Sequence, residues 1–156
     1  MKTELILVGK TNDKHFQAGI DDYCQRIGHY MPFSVTVIPE LKNTKSLSFQ
    51  QQKEREGELI LAKLQSSDHV VLLDEHGKDF RSVEFARWIE QKNASIRRLV
   101  FVIGGPYGFS EAVYSRANEK ISLSKMTFSH QMVRLVFVEQ IYRACTIIKG
   151  EPYHHE

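Results

Sequence analysis

Two uninterrupted apolar runs, at residues 70–73 and 99–103, restrict the possible folds of this chain more than any other feature. A strand with one face in water alternates apolar and polar side chains, so an uninterrupted run indicates a strand covered on both faces. Between the two runs, Val83, Phe85 and Ile89 recur at helical spacing. This order is typical of parallel strands joined by a crossover helix. We therefore predict that the two runs form the centre of a parallel sheet.

The same alternation of strands and helices continues on both sides of this centre. Three further strands are predicted, the second of them near a sheet edge because its side chains alternate, at residues 3–8, 33–37 and 121–123. Three helices are predicted in the first two thirds of the chain: residues 13–27 with Thr11 or Asn12 as cap, a stretch ending near Gln65, and a stretch capped by Ser82. We therefore predict one α/β domain over residues 1–156, with an open, mainly parallel sheet and helices on both faces.

The last predicted helix, at residues 131–148, is apolar around almost its whole circumference. A helix of this kind must be covered on all sides. In one interpretation, one face packs on the sheet and the other meets a second copy of the chain in a two-fold dimer. In the other, the helix lies in the centre of a monomer's core, and periodicity alone leaves both open.

Composition excludes several classes of protein. With 42% hydrophobic and 26% charged residues, the chain is too hydrophobic for a disordered protein, and no apolar run is long enough for an export signal or a membrane span. Cys24 and Cys145 lie far apart in apolar helical patterns, which favours reduced thiols and a cytoplasmic location. The net charge of +2 is too small to indicate a nucleic-acid partner, and Arg26, Arg97 and Arg98 are expected on solvated faces.

Three segments that follow predicted strands are the candidate binding loops: residues 73–78, 104–109 and 124–128. Ligands of open α/β sheets collect at the carboxyl ends of the strands. Gly104 and Gly105 let a ligand approach the backbone closely, and Ser110 is expected to cap the next helix. A binding loop is the preferred interpretation of this segment, with a simple turn as the alternative.

The glycine loop matches neither of the common phosphate-binding patterns. No Gly-Lys-Ser/Thr follows it, and it lacks the G-x-G-x-x-G spacing of dinucleotide sites. Glu111 follows where a polyphosphate site would need a cation. A ligand without phosphates and with an adenine-like part fits better, its faces held by apolar side chains of the loops, namely Leu73, Leu123, Met126 and Phe128.

Several motifs together resemble one family over nearly the whole chain. They are FVIGGPYG at residues 101–108, LSKMTFSH at 123–130, VR at 133–134, EQ at 139–140, YRA at 142–144, PYH at 152–154, KEREG at 53–57 and the opening at 1–10. In this order and spacing they resemble the RlmH family of ribosomal large-subunit pseudouridine methyltransferases, which belong to the SPOUT class. Two residues depart from the family pattern: Ser129 stands where members often have Pro, and His155 stands where many have Arg or Lys.

The resemblance implies a fold, a cofactor and a partner. It implies a C-terminal trefoil knot, an obligate homodimer, S-adenosyl-L-methionine as methyl donor, and N3 of a pseudouridine in helix 69 of 23S rRNA in the ribosome as acceptor. Base rates for knotted chains argue against the first of these. Carried onto this chain, the family's cofactor pocket comprises Leu73, Gly104, Gly105, Leu123, Ser124, Lys125, Met126, Thr127 and Phe128.

On the acceptor side, the resemblance implies catalytic roles for Arg143, His130, Tyr153 and His154. His154 is the candidate base that removes the N3 proton, and Arg143 the candidate for binding an anion or a phosphate. Each has an alternative that the residues alone leave open. In these alternatives, His154 is a solvated tail residue and Arg143 complements a helix dipole. His130 caps the last helix, and Tyr153 pins the tail to the core instead of stacking on a base.

Two other classes of function remain to be discriminated. A dinucleotide-dependent oxidoreductase would use the Gly104 loop for a pyrophosphate, and a non-catalytic ribosome-binding module would keep the RNA affinity without a cofactor. His130, His154, His155 and Cys145 lack the paired spacing of a zinc site, so no metal is expected. No association with a membrane is expected either.

Overall fold

Strands and helices alternate along the chain in the computed structural model, which describes residues 1–156. The strands are β1 (Lys2–Val8), β2 (Phe33–Ile38), β3 (His69–Asp79), β4 (Arg98–Ile103) and β5 (Glu119–Ser122). The helices are α1 (Lys14–Ile27), α2 (Phe49–Ala62), α3 (Ser82–Ser95), α4 (Glu111–Arg116) and α5 (Met132–Ile148), with one 3₁₀ turn at Thr44–Ser46. No helix is both long and apolar enough to cross a membrane.

The five strands form one sheet, in the order β2-β1-β4-β3-β5, and every pair is parallel. The predicted α/β class is thus confirmed. β4 lies at the centre, where Phe101 pairs with Leu5 on one side and Val71 on the other. β2 lies at an edge, which explains the alternation of its side chains.

Successive residues of the central strands enter two separate cores. Leu5, Leu7 and Phe101 point towards the face covered by α1, α3 and α5. Ile6 and Val102 point towards the opposite face, which α2 and α4 cover. Because each central strand contributes to both cores, it has no polar face. This explains why the sequence is apolar without interruption at residues 70–73 and 99–103.

α5 lies between α1 and α3. Ile141 and Ala144 are fully buried, whereas Met132, Val136 and Tyr142 are only half-buried. Packing within one chain therefore covers most of the helix, as the core-helix interpretation expected. The partly open apolar side chains leave room for the dimer, which stays a prediction.

Two predicted helix caps were wrong. The side chain of Asp13, not Thr11 or Asn12, accepts from the N–H groups of His15 and Phe16 at the start of α1. Tertiary contacts use the other two residues, since Thr11 accepts from Arg134 and the Asn12 N–H donates to Gln131.

Ser82 is the first residue of α3 and does not cap it. Arg81 precedes the helix, its N–H donating to Glu84, and the Ser82 hydroxyl donates to Gln140 of α5 instead. Ser110 caps α4, as predicted, by accepting from the Val113 N–H.

Arg98 was wrongly expected to be solvated. Its guanidinium pairs with Asp68, whose side chain is fully buried, at 2.6 Å, and also with Glu4. Glu4 lies on β1 and Arg98 on β4, so the pairing of these strands brings the two charges together. Only the sheet order could have revealed this contact.

Neither cysteine forms a disulfide, as predicted. Burial raises the pKa of both thiols to about 11, and nearby Asp21 also raises that of Cys24. Both side chains are therefore neutral thiols that pack as small apolar groups.

Candidate functional site

The three predicted binding loops meet in one cleft of about 760 Å³. Residues 104–109 and 124–128 follow β4 and β5, as predicted, but residues 73–78 lie within β3, where its pairing with β5 is interrupted, and not after the strand. β3 lies between β4 and β5 in the parallel sheet, so the three segments meet at one edge. All nine residues predicted to bind a cofactor line the cleft, as does His130. The volume lies within the range typical of pockets for small ligands.

The first wall is a break in β3. Leu73 and Lys78 both pair with Ile121 of β5, so the residues between them bulge out of the ladder. Asp74 within the bulge accepts from the His76 N–H at 2.8 Å and from the Tyr114 hydroxyl. Burial and this hydrogen bond raise the pKa of Tyr114 to about 12, so Tyr114 remains a donor that holds the Asp74 carboxylate in place.

The second wall is the glycine loop after β4, where side chains pack against the backbone. A Cβ at Gly104 would lie 2.9 Å from the Phe109 ring, and a Cβ at Gly105 would lie 2.8 Å from Oε1 of Glu56. Gly104 therefore requires the absence of a side chain, whereas at Gly105 the flexible end of Glu56 can move aside. Burial raises the pKa of Glu56, and Glu40 nearby raises it further.

The third wall, after β5, carries unused backbone polar groups. Ser122 donates to the Ser124 carbonyl, and the Ser124 hydroxyl accepts from the Met126 N–H, so the start of the loop is held internally. Lys125, Thr127 and Phe128 make no backbone hydrogen bond to the rest of the protein. Their N–H and C=O groups are available to a ligand in the cleft.

His130 stands at the rim, directly before α5, and its side chain is exposed. The alternative that it caps α5 is wrong, because Gln131 occupies the N-cap position and the His130 side chain makes no hydrogen bond to the helix. The Ser129 hydroxyl accepts from the Met132 N–H at 3.1 Å, and its carbonyl accepts from the Val133 N–H at 3.0 Å. The side chain of His130 is thereby left to face the cleft.

The charge in the cleft is small, with two carboxylates and one ammonium group. Asp74 and Glu75 lie on one wall and Lys125 on another, with His76 and His130 near them. No set of arginines or lysines is present that would hold a polyphosphate. No three His, Cys, Asp or Glu side chains are grouped so that they could hold a metal ion.

The other predicted residues form a second group, the tail cluster, comprising Arg143, Tyr153 and His154 around Glu139. Nε and Nη2 of Arg143 donate to Oε1 of Glu139 at 3.1 and 2.7 Å, and the Tyr153 hydroxyl donates to the same atom at 3.1 Å. The Arg143 guanidinium also lies 4.8 Å from the centroid of the Tyr153 ring. Burial, together with Tyr23 and Glu139, raises the pKa of Tyr153.

His154 is held by Arg143. Nη1 of Arg143 is 3.1 Å from Nδ1 of His154, and a guanidinium can only donate. Nδ1 is therefore unprotonated, and the proton of the neutral ring lies on Nε2, which is buried without a hydrogen-bond partner. In this arrangement His154 presents a proton and not a base.

Tyr153 pins the tail to α5 within the protomer, one of the two roles considered for it. Besides binding Glu139, its ring packs edge-on against Tyr142 at 4.8 Å between centroids. Stacking on a base stays a prediction.

The tail cluster and the cleft are separate within one chain. Arg143, Tyr153 and His154 do not line the cleft. Val133 lines the cleft, and Arg143 lies ten residues further along α5, about 15 Å of helical rise away.

Four residues that shape the two groups, Asp74, Tyr107, Tyr114 and Glu139, were not among the predicted site residues. Asp74 and Tyr107 lay within the segments singled out as loops. The spacing of Glu139 four residues before Arg143 is a signal that could have found that pair. Nothing local predicts Tyr114, which reaches Asp74 from α4 across the sheet edge.

The chain is similar over its whole length to known methyltransferases. Residues 1–154 match the family described as "Predicted SPOUT methyltransferase". The chain is 66% identical to "Ribosomal RNA large subunit methyltransferase H" from Bacteroides fragilis and 66% identical to the protein of that name from Bacteroides thetaiotaomicron, over 100% of both chains in each comparison. The protein of the same name from Flavobacterium johnsoniae is 56% identical, again over 100% of both chains.

Proposed function

Because the chain belongs to the SPOUT methyltransferase family, we propose that it transfers a methyl group from S-adenosyl-L-methionine to N3 of pseudouridine-1915 in 23S rRNA of the assembled ribosome. The observation that carries the proposal is the single cleft formed by the three predicted binding loops. The relatives named as ribosomal RNA large subunit methyltransferases support the choice of acceptor. We expect the enzyme to act in the cytoplasm, where ribosomes are.

The walls of the cleft fit this methyl donor. Apolar side chains of Leu73, Leu123 and Phe128 can cover the faces of an adenine, and the free backbone groups at residues 125, 127 and 128 can bind its edge. The carboxylates of Asp74 and Glu75 suit a ligand with positive charge, and a polyphosphate would lack cations there. The donor supplies an electrophilic methyl group on a sulfonium sulfur.

For such a displacement the protein has mainly to align two reactants and exclude water. Gly104, Gly105 and the 123–128 loop hold the donor side. The acceptor N3 is a poor nucleophile until its proton leaves, so a base and a cation near it lower the barrier. The tail cluster contains both kinds of group.

We assign anion binding to Arg143 and proton acceptance to His154. Arg143 occupies Nδ1 of His154 in the free protein, so this nitrogen becomes a base only when the guanidinium turns away. Binding of the acceptor's developing negative charge by Arg143 supplies the reason to turn. His130 at the rim and Tyr153 in the tail complete the proposed acceptor site.

A homodimer would reconcile the two groups of residues. The tail cluster lies away from the cleft of its own chain, so a second protomer has to supply it if all of the proposed residues act together. The half-buried apolar side chains of α5 support a two-fold interface. The C-terminal trefoil knot implied by the family resemblance stays a prediction.

Methyl incorporation tests the proposal directly. Ribosomes from cells lacking this gene are incubated with the protein and labelled methyl donor, and nucleosides of helix 69 are analysed by mass spectrometry. We expect one methyl group on the pseudouridine. Calorimetry should detect heat with S-adenosyl-L-methionine and none with NAD. Binding of NAD alone would favour an oxidoreductase, and ribosome binding without methyl transfer would favour a non-catalytic module.

A further inference from the structure

Two stacked aromatic rings lie exposed beside the cleft. Phe49, the first residue of α2, stacks on Tyr107 of the glycine loop with centroids 4.2 Å apart and an angle of 19° between the rings. Phe49 is 62% exposed and Tyr107 is 41% exposed. Tyr107 also lines the cleft, so this aromatic pair is continuous with the cleft wall.

The start of α2 does not depend on Phe49. The Ser48 hydroxyl caps the helix by accepting from the Gln51 N–H, and Oε1 of Gln51 accepts from the Ser48 N–H in return. An exposed ring at this position is therefore not explained by the helix itself. Single exposed apolar residues are ordinary, but two stacked rings beside a cleft form a flat surface that suits another ring.

The segment around Phe49 is cationic. Residues 41–53 contain Lys42, Lys45 and Lys53 and no acidic residue. None of these three lysines forms an ion pair within the chain. Lys42 and Lys45 are exposed. We call residues 41–53 the lysine segment.

We propose that the aromatic pair stacks an unpaired base of the ribosomal RNA substrate while the lysine segment contacts its phosphates. Flat aromatic surfaces flanked by free lysines are how proteins bind single-stranded nucleic acid, with stacking on bases and charge on the backbone. A protein partner would use the aromatic rings but would not need this unpaired charge. The inference rests on the proposed function, because it takes RNA as the substrate.

Phe49 has a competing role, which is to support the glycine loop. Glu56, two turns further along α2 on the same side, also contacts this loop at Gly105. If support were the role of Phe49, its loss would weaken binding of the methyl donor, and a leucine of similar volume would restore it. If stacking is its role, donor binding is unchanged, leucine does not rescue RNA binding, and tryptophan does.

The experiment measures three quantities for Phe49→Ala, Phe49→Leu and Phe49→Trp. These are the Kd for S-adenosyl-L-methionine, the Kd for purified assembled ribosomes whose large subunits lack the methyl group, and the KM and kcat for methylation of these ribosomes. We expect Phe49→Ala and Phe49→Leu to weaken ribosome binding and raise KM by about tenfold, with donor affinity and kcat unchanged. Phe49→Trp should match the parent. Leu59→Ala, at an exposed position of the same helix, is the matched control.

The lysine segment is tested by salt dependence. Replacing Lys42 and Lys45 together by Gln should reduce the slope of log Kd against log salt by about 1.4, the value for two contacts with a single strand. Lys63→Gln, an exposed lysine beyond the other end of α2, should leave the slope unchanged.

Four results would overturn the inference. The first is that Phe49→Ala binds ribosomes as the parent does, and the second is that it loses donor affinity in parallel and Phe49→Leu restores that affinity. The third is that Phe49→Ala shifts the protein from dimer to monomer. The fourth is that replacing Lys42 and Lys45 leaves the salt slope unchanged. If any of these results is found while the parent enzyme still methylates ribosomes, the inference fails but the proposed function does not. A parent that neither binds nor methylates them removes the function, and the inference with it.

Discussion

Arg143 binds Glu139, His154 and the face of Tyr153 at once, so its replacement should disrupt the whole tail cluster. We expect Arg143→Ala to lower the single-turnover methylation rate by about a hundredfold or more, with unchanged affinity for the methyl donor. Arg143→Lys should recover only part of the rate, because an ammonium cannot reproduce the paired contact with Glu139. A rate equal to the parent's would remove Arg143 from the site.

The two glycines of the β4 loop should differ in sensitivity. A methyl group at Gly104 meets the ring of Phe109, which is buried and cannot move, whereas one at Gly105 meets the end of the flexible Glu56 side chain. We expect Gly104→Ala to weaken donor binding by about tenfold in calorimetry and Gly105→Ala to change it little. Thermal unfolding of both variants distinguishes a local effect from loss of the fold. Equal losses would contradict the packing argument.

At the scale of the element, α5 depends on Ser129 for its first turn. Ser129→Ala removes the acceptor for the Met132 N–H and should lower the free energy of unfolding by about 1 kcal/mol. Ser129→Asp, which keeps an acceptor, should restore most of it. Denaturant unfolding measures both, and an alanine variant as stable as the parent would show that this hydrogen bond contributes nothing.

Glu119 joins β5 to β3 and α3. It accepts from Lys92 at 2.8 Å, from Trp88 at 3.1 Å and from His69. Burial alone would raise its pKa, but these hydrogen bonds outweigh burial, and the pKa lies below its usual value. The contribution of Glu119 to stability is therefore present above the unfolded carboxyl pKa of about 4.3 and is lost as pH falls through the lower folded value.

Glu119→Gln tests this linkage. We expect the variant to be less stable than the parent at pH 7, and the difference to shrink as pH falls below about 4. Denaturant unfolding at several pH values measures it. Glu90→Gln, on an exposed carboxylate of α3 without an ion pair, should show no such pH-dependent difference. A constant difference for Glu119→Gln would exclude a charge-based contribution.

At the scale of the whole molecule, mixing two impaired variants, with the methyl donor held well below its Kd for Gly104→Ala, tests whether the site is shared between protomers. Gly104→Ala damages the cleft and His154→Ala damages the tail cluster. If one protomer's tail serves its partner's cleft, each mixed dimer has one intact site, and equal amounts should recover about a quarter of the parent activity. If each chain uses its own tail, mixing recovers nothing. A monomer in light scattering would exclude the shared site.

Much of the fold was predictable because burial leaves a local signature. The uninterrupted run at residues 99–103 predicted a central strand, and the alternation at 33–37 predicted an edge strand, both confirmed. The cap of α1 was not predictable, because Thr11 is used by Arg134 from the far end of the chain. Arg98 was misjudged for the same reason, since its partners come from distant segments.

Local pattern alone determined which segments become strands, which faces they bury and which loops follow them, because side-chain periodicity records burial residue by residue. The grouping of Gly104 with Leu73 and the 123–128 loop followed from parallel strands ending at one edge. Only the tertiary structure decided that Arg143, Tyr153 and His154 gather around Glu139 away from that cleft. That separation depends on the length and direction of α5, and periodicity carries no information about where a helix places its far end.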